Sequence, residues 1–146
     1  MSARQDGHPG TVPTMARSDT SHLRALGAGP MEPTRSLEII PLDTDAPLEI
    51  RFRTDELLAR CPVTDQRDHY QAEVELVATA TLESKSLKLY LATWEQESIL
   101  AEDLANSIAD DVVAAVGTHL VGLTVRLQQQ VRGGIDIAVR AERRAG

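Results

Sequence analysis

Residues 71–94, QAEVELVATATLESKSLKLYLATW, contain a change of hydrophobic period that decides the predicted fold. Up to residue 81, apolar and polar side chains alternate, which is typical of a half-buried β-strand. From residue 87 onwards, the apolar side chains recur at the spacing of one helical face. The residues of that face are Leu87, Tyr90, Leu91 and Trp94. The stretch therefore predicts a strand followed directly by an amphipathic helix.

The segment before this stretch is assigned by the same patterns. Apolar and charged residues alternate over 48–53, which predicts a second strand. Thr54 is a suitable cap for a short helical turn over 55–60. Residues 61–68 contain Pro, Thr, Asp and Gln and are predicted to form a loop.

The segment after this stretch completes the fold. A helix is predicted over 99–116, followed by strands over 121–131 and 135–139 with a hairpin turn at Gly133 and Gly134. The order is ββααββ, which predicts an α+β fold with an antiparallel sheet and two helices on one face. Because the other face and the sheet edges need cover, we expect a homo-oligomer.

The N-terminal segment differs in composition from the rest. Residues 1–36 contain four prolines and show no hydrophobic periodicity. Such a segment buries too little apolar surface to offset the entropy lost on ordering. We expect a disordered tail over 1–36 and a single folded domain over 37–146.

Composition excludes several classes of protein. The chain has 146 residues, enough for one domain, and a formal net charge of −7, which argues against direct nucleic-acid binding. No apolar stretch has the length of a membrane span or a signal peptide, so we expect a cytoplasmic protein that binds no membrane. One cysteine and four histidines without ligand spacing predict neither a disulfide nor a metal site.

Cys61 is the first candidate for chemistry. It follows Arg60 in the predicted loop, and a neighbouring cation favours the nucleophilic thiolate. Asp68 lies seven residues further on, so a loop that folds back brings a proton donor beside the thiol. The alternative is that Cys61 is a small buried hydrophobic side chain without a chemical role.

Three cations and one acid are further candidates. Lys85 and Lys88 lie near the start of the first predicted helix, whose N-terminal amides attract anions, and Arg132 precedes the hairpin glycines. Together they form a candidate phosphate site, and the alternative is solvated surface cations. Glu102 has a carboxylate that could accept the guanidine-like edge of a base, or it complements the helix dipole alone.

Four segments carry a resemblance to a known family. They are CPVTDQRD at 61–68, ESKSLKLY at 83–90, Glu102–Asp103, and Arg132 with its two glycines. In order and spacing, from about residue 37 to 137, they resemble the short form of the QueF family. Its members are the 7-cyano-7-deazaguanine reductases, NADPH-dependent nitrile reductases of queuosine biosynthesis, a pathway of tRNA modification.

The resemblance implies an architecture and a reaction. The expected fold is the tunnelling fold (T-fold), assembled into a ring-forming oligomer with active sites between subunits. Residues 37–146 would form a single nitrile reductase domain that acts on a 7-deazapurine. Cys61 would attack the nitrile carbon and form a thioimide, Asp68 would protonate the nitrogen, and two NADPH molecules would supply hydrides. The product would be 7-aminomethyl-7-deazaguanine.

The resemblance also implies binding roles. Substrate-binding residues would be Leu82, Glu83, Ser84, Ala101 and Glu102. NADPH-phosphate-binding residues would be Lys85, Lys88 and Arg132.

Two departures and two alternatives accompany this assignment. Ala101 stands where the family usually has a histidine, and Arg67 stands where it usually has a proline.

One alternative is an amidine-forming transferase that uses the same Cys61 thioimide. The retained cations, a set suited to NADPH, argue against it. The other is a non-catalytic oligomer that binds a purine-like ligand, and the intact pair of Cys61 and Asp68 argues against that.

Overall fold

The elements follow the predicted order, with two short strands added. The computed structural model describes residues 18–25, 29, 31–131 and 133–145. The strands are β1 (Ile39–Pro41), β2 (Leu48–Arg60), β3 (Arg67–Ala78), β4 (Ala80–Leu82), β5 (Leu120–Val131) and β6 (Ile135–Arg144). The helices are α1 (Ser84–Ala92) and α2 (Ala101–Val116), which 3-10 turns follow at Thr93–Gln96 and Gly117–His119.

The four long strands form one antiparallel sheet in the order β2-β3-β5-β6, and β1 pairs with β4 in a small second sheet. Helix α1 contacts β2, and α2 lies against β5 and β6. The predicted α+β arrangement of a sheet with two helices is therefore confirmed. The hairpin turn is also confirmed, because Gly133 and Gly134 have φ of 88° and 78°, a region that favours glycine.

The predicted helical turn over 55–60 is wrong. These residues continue β2, and their pairing with β3 resumes at Leu57, opposite Tyr70, after a register shift that begins beyond Thr54. Leu57 and Ala59 are completely buried. Burial against the core and ladder hydrogen bonds to β3 outweigh the local capping tendency of Thr54.

The core lies between the sheet and the helices. Helix α2 buries Leu104, Ile108 and Val112, which belong to the predicted apolar stripe. The helix begins at Ala101, so Leu100, predicted to lie inside it, is instead the N-cap residue and is half exposed. Among the described residues, no helix is long and apolar enough to cross a membrane.

Parts of the predicted tail contact the domain. The Glu38 carboxylate accepts hydrogen bonds from the backbone N–H groups of Arg24 and Ala25, at 2.8 and 3.2 Å. The Lys85 ammonium donates to the Gly29 carbonyl at 2.9 Å. Residues 1–17, 26–28 and 30 lie outside the described residues, so the division at residue 36 stays a prediction.

Candidate active site

The loop between β2 and β3 is a tight turn that brings Cys61 close to the start of β3. The Cys61 N–H donates to the Gln66 carbonyl, and the Asp65 N–H donates to the Cys61 carbonyl, both at 2.8 Å. Asp65 has φ of 57°, in the left-handed region that Asp tolerates better than most side chains. Because the turn closes here, Asp68 is the second residue of β3 and lies near Cys61.

The segment before α2 brings a second element to the same place. The Arg60 N–H donates to the Glu97 carbonyl at 2.8 Å, and the Ile99 N–H donates to the Arg60 carbonyl at 3.0 Å. This short parallel pairing joins the end of β2 to the residues preceding α2. The first turn of α2, with Ala101 and Glu102, therefore lies beside Cys61.

These elements enclose a cleft of about 660 Å³, which we call the Cys61 cleft. Four of the predicted site residues line it: Cys61, Asp68, Ala101 and Glu102. Gln129 and Ile137 line it as well. A cleft of this size is in the range of small-molecule sites.

Cys61 is half-buried, and its surroundings favour the thiolate. Hydrogen bonds from the Thr64 hydroxyl, the Thr64 N–H and the Val63 N–H lower the pKa of the Cys61 thiol. Charge on Asp68 acts in the opposite direction and is the smallest of the contributions. The Arg60 guanidinium contacts Asp65 and Gln96. The donors that favour the Cys61 thiolate are therefore those of Thr64 and Val63 in the loop, and the predicted contribution of Arg60 is not among them.

The pKa of the Asp68 carboxyl is shifted in the opposite direction, upwards. Burial raises the pKa of the Asp68 carboxyl, while a hydrogen bond from Gln129 and the nearby His69 lower it by less. A thiol with a lowered pKa beside a carboxyl with a raised pKa supplies a nucleophile and a proton donor. This pair can capture an electrophilic carbon and protonate the atom bonded to it.

Sequence reasoning missed two polar residues of this region. Gln129 is 7% exposed and continues the buried face of β5 after Leu127, and Tyr70 occupies the buried face of β3. A glutamine in an otherwise apolar alternation is the signal that could have identified Gln129. Tyr70 begins the buried face that Ala72 and Val74 continue, where an aromatic side chain is ordinary and gives no such signal.

The remaining described site residues lie on another surface of the chain. Leu82 is buried, and the Glu83 carboxylate accepts from the N–H groups of Lys85 and Ser86 at 2.9 and 2.7 Å, which makes it the N-cap of α1. Ser84 and Lys88 line a groove of about 460 Å³ between β2 and α1. One chain therefore does not bring these residues into the Cys61 cleft.

Two further predictions concern NADPH and metals. Lys85 and Lys88 lie one turn apart near the start of α1, where cations and helix amides suit phosphate groups. Arg132 lies outside the described residues. Within the described ranges, no group of three His, Cys, Asp or Glu side chains is arranged to hold a metal ion.

Comparison with known proteins identifies the family. The family model for QueF-like protein matches residues 68–145. A relative from Frankia casuarinae is 43% identical over 117 residues, covering 80% of this chain and 91% of its own, and one from Syntrophus aciditrophicus is 39% identical over 126 residues, covering 85% and 88%. Both relatives are named NADPH-dependent 7-cyano-7-deazaguanine reductase.

A solved structure supports the fold. The crystal structure of the archaeosine synthase QueF-Like in the apo form superposes with a TM-score of 0.58. It is 23% identical, and the match covers 68% of this chain and 95% of that one. This likeness bears on the fold alone and agrees with the expected T-fold. The family match over residues 68–145 and the two reductase relatives show that the chain belongs to the QueF-like family.

Proposed function

We propose that this protein is an NADPH-dependent 7-cyano-7-deazaguanine reductase, which converts the nitrile to 7-aminomethyl-7-deazaguanine. The observation that carries the proposal is the Cys61 cleft, where a thiol with a lowered pKa and a carboxyl with a raised pKa lie together. The names of the relatives from Frankia casuarinae and Syntrophus aciditrophicus support the same reaction.

Cys61 and Asp68 have complementary tasks in this reaction. The Cys61 thiolate forms a C–S bond to the nitrile carbon, and the Asp68 proton passes to the nitrile nitrogen, so that a covalent thioimide forms. NADPH, when bound, supplies the hydrides, and two of them with one further proton complete the reduction to the amine. Release of the thiolate from carbon restores Cys61.

Glu102 suits recognition of the heterocycle. It is exposed at the first turn of α2, at the rim of the cleft that Cys61 lines. A carboxylate accepts two parallel hydrogen bonds from the amine and ring N–H of a guanine-like edge. The neighbouring Ala101 also lines the cleft and has a small side chain.

The NADPH phosphates would be held by Lys85 and Lys88, with Arg132 as the third cation. Lys88 is exposed, and Lys85 donates to the Gly29 carbonyl, so a phosphate would have to replace that contact. The acidic character of the whole chain makes this pair of cations a local exception. Their position on α1, away from the Cys61 cleft, needs an explanation.

A homo-oligomer supplies that explanation. If residues 82–88 of one copy complete the Cys61 cleft of another, substrate and NADPH meet between subunits. The two edge strands of the sheet are β2 and β6, and paired edges are a common way to join copies. We therefore include subunit-interface sites in the proposal.

The test is a stoichiometric assay of the purified protein. With 7-cyano-7-deazaguanine, we expect two NADPH to be oxidised for each aminomethyl product, as measured by NADPH absorbance and product mass. Covalent capture with an amine and no NADPH oxidation would indicate the amidine-forming transferase. Binding without adduct or oxidation would indicate a non-catalytic protein. Either result contradicts the reductase.

A further inference from the structure

Asp68, Tyr70 and Gln129 form a small cluster on the helix-facing side of the sheet. Asp68 and Tyr70 are alternate residues of β3, so their side chains lie on the same face. Gln129 on β5 is directly opposite Tyr70 in the register and hydrogen-bonds the Asp68 carboxyl. Tyr70 is 1% exposed and Gln129 is 7% exposed. Asp68 is therefore flanked by two buried polar side chains.

The Tyr70 hydroxyl has no hydrogen-bond partner in the part of the chain that the structure describes. A buried hydroxyl without a partner is unfavourable, and a retained one needs an explanation. Burial, followed by the charges of Asp68, Glu102 and Cys61, raises the pKa of Tyr70. The hydroxyl therefore keeps its proton and remains a hydrogen-bond donor surrounded by groups that carry negative charge when ionised.

We propose that Tyr70 is a positioning residue for Asp68, and that its hydroxyl donates a hydrogen bond to the Asp68 carboxylate once Asp68 has given up its proton. Gln129 already occupies one side of the carboxyl group, and an ionised carboxylate has room for further donors. A donor to the ionised form forms a charge-assisted bond, which is stronger than a neutral one. The bond is thus strengthened by the proton transfer itself.

Other charged groups around Asp68 set the background against which this bond acts. The titratable groups that line the cleft with it are Cys61, Arg67, His69 and Glu102. Of these groups, His69 acts on Asp68 through its charge and favours the carboxylate, while Arg67 pairs with the Glu95 carboxylate at 3.3 Å. Replacing Tyr70 by Phe removes one oxygen and changes none of these four groups. The substitution therefore isolates the hydroxyl.

Titration of Asp68 in the full chain provides the test. Aspartate carbons are labelled with ¹³C, and Asp68 is assigned by comparison with the Asp68→Asn variant. We expect Tyr70→Phe to raise the Asp68 midpoint by about one pH unit. Gln129→Met is the matched control, because it removes the donor already bonded to Asp68 and must also raise the midpoint. An Asp68 midpoint in Tyr70→Phe equal to that of the unaltered chain overturns the proposal.

A kinetic readout links the cluster to the reaction. The inference rests on the proposed function, so we expect Tyr70→Phe to lower kcat about tenfold, to leave KM for the nitrile unchanged and not to lower the thermal midpoint. A rise in KM with unchanged kcat would contradict the proposal that Tyr70 acts on the reaction through Asp68. Absence of nitrile reduction by the unaltered chain would contradict the proposed function, and the titration of Asp68 would still decide the role of Tyr70.

Discussion

Cys61 and Asp68 line one cleft with pKa values displaced in opposite directions, the thiol downwards and the carboxyl upwards. The loop that joins them closes through the hydrogen bond from the Cys61 N–H to the Gln66 carbonyl. Each shift has a separate physical cause, since loop donors act on Cys61 and burial acts on Asp68. The two shifts can therefore be altered one at a time.

Thr64→Val is expected to raise the pKa of Cys61. The Thr64 hydroxyl is the largest contribution to the lowered value, and valine keeps the shape while removing the donor. Alkylation by iodoacetamide, followed over a range of pH, should show a higher midpoint and a slower reaction at neutral pH. Arg60→Gln is the control, because its guanidinium bonds Asp65 and Gln96. A larger effect of Arg60→Gln than of Thr64→Val would contradict this assignment.

Asp68→Asn is expected to lower kcat by about 100-fold, the usual scale of general acid catalysis. Asparagine preserves the size and polarity of the side chain but supplies no carboxylic proton. The profile of kcat/KM against pH should rise as Cys61 ionises and fall as Asp68 loses its proton. Because the pKa of Asp68 is raised and that of Cys61 is lowered, more of the protein holds a thiolate beside a protonated carboxyl than an ordinary pair of these side chains would give. Loss of the falling limb in Asp68→Asn supports Asp68 as the proton donor, and persistence of that limb argues against this role.

Glu83→Ala is expected to destabilise the protein by about 1–2 kcal/mol, the upper range for loss of an N-cap. The buried carboxylate satisfies the N–H groups of Lys85 and Ser86, which alanine would leave without partners. The free energy of unfolding in urea measures the loss. Glu83→Gln retains one acceptor oxygen and should lose less. An equal free energy of unfolding for Glu83→Ala and the unaltered chain would show that the Glu83 cap does not stabilise the protein.

Lys88→Ala is expected to raise KM for NADPH about tenfold and to leave KM for the nitrile unchanged. The reason is the loss of a charge-assisted contact to phosphate, while the Cys61 cleft stays intact. Steady-state kinetics at fixed ionic strength measures both constants. An equal effect on the two substrates would place Lys88 outside a dedicated NADPH site.

Subunit-interface sites predict complementation between two inactive variants. Cys61→Ala lacks the nucleophile, and Lys85→Ala/Lys88→Ala lacks the α1 cations. If one copy supplies the cleft and another supplies α1, mixed oligomers contain some complete sites and regain activity. Refolding the two variants together, with each refolded alone as control, tests this. Persistent inactivity of the mixture would contradict sites shared between copies.

Strong periodicity made most of the fold predictable. The alternation over β3 and the helical stripe of Leu104, Ile108 and Val112 both match buried faces. The turn proposed over 55–60 was wrong because pairing of Leu57 with Tyr70 is a long-range interaction that local residue preferences do not contain. The same limit explains why nothing local indicated the parallel pairing of Arg60 with Ser98.

Only part of the candidate site was predictable from the sequence. Cys61, Asp68 and Glu102 were identified by type and by resemblance, and they line one cleft. The source of the lowered Cys61 pKa was not predictable, because adjacency to Arg60 in sequence says nothing about where the guanidinium points. Tyr70 lies beside Asp68 because both are on one face of β3, whereas its proximity to Glu102 depends on the packing of α2, which the neighbours of Tyr70 in the sequence do not indicate.

Covalent capture of the nitrile by Cys61 is the step on which the rest of the proposed reaction depends. The most direct measurement is the intact mass of the protein after incubation with 7-cyano-7-deazaguanine in the absence of NADPH. We expect an increase equal to the whole mass of the nitrile, carried by Cys61, absent in Cys61→Ala, and lost when NADPH is added. An unmodified mass in the unaltered chain, or the same adduct in Cys61→Ala, would contradict it.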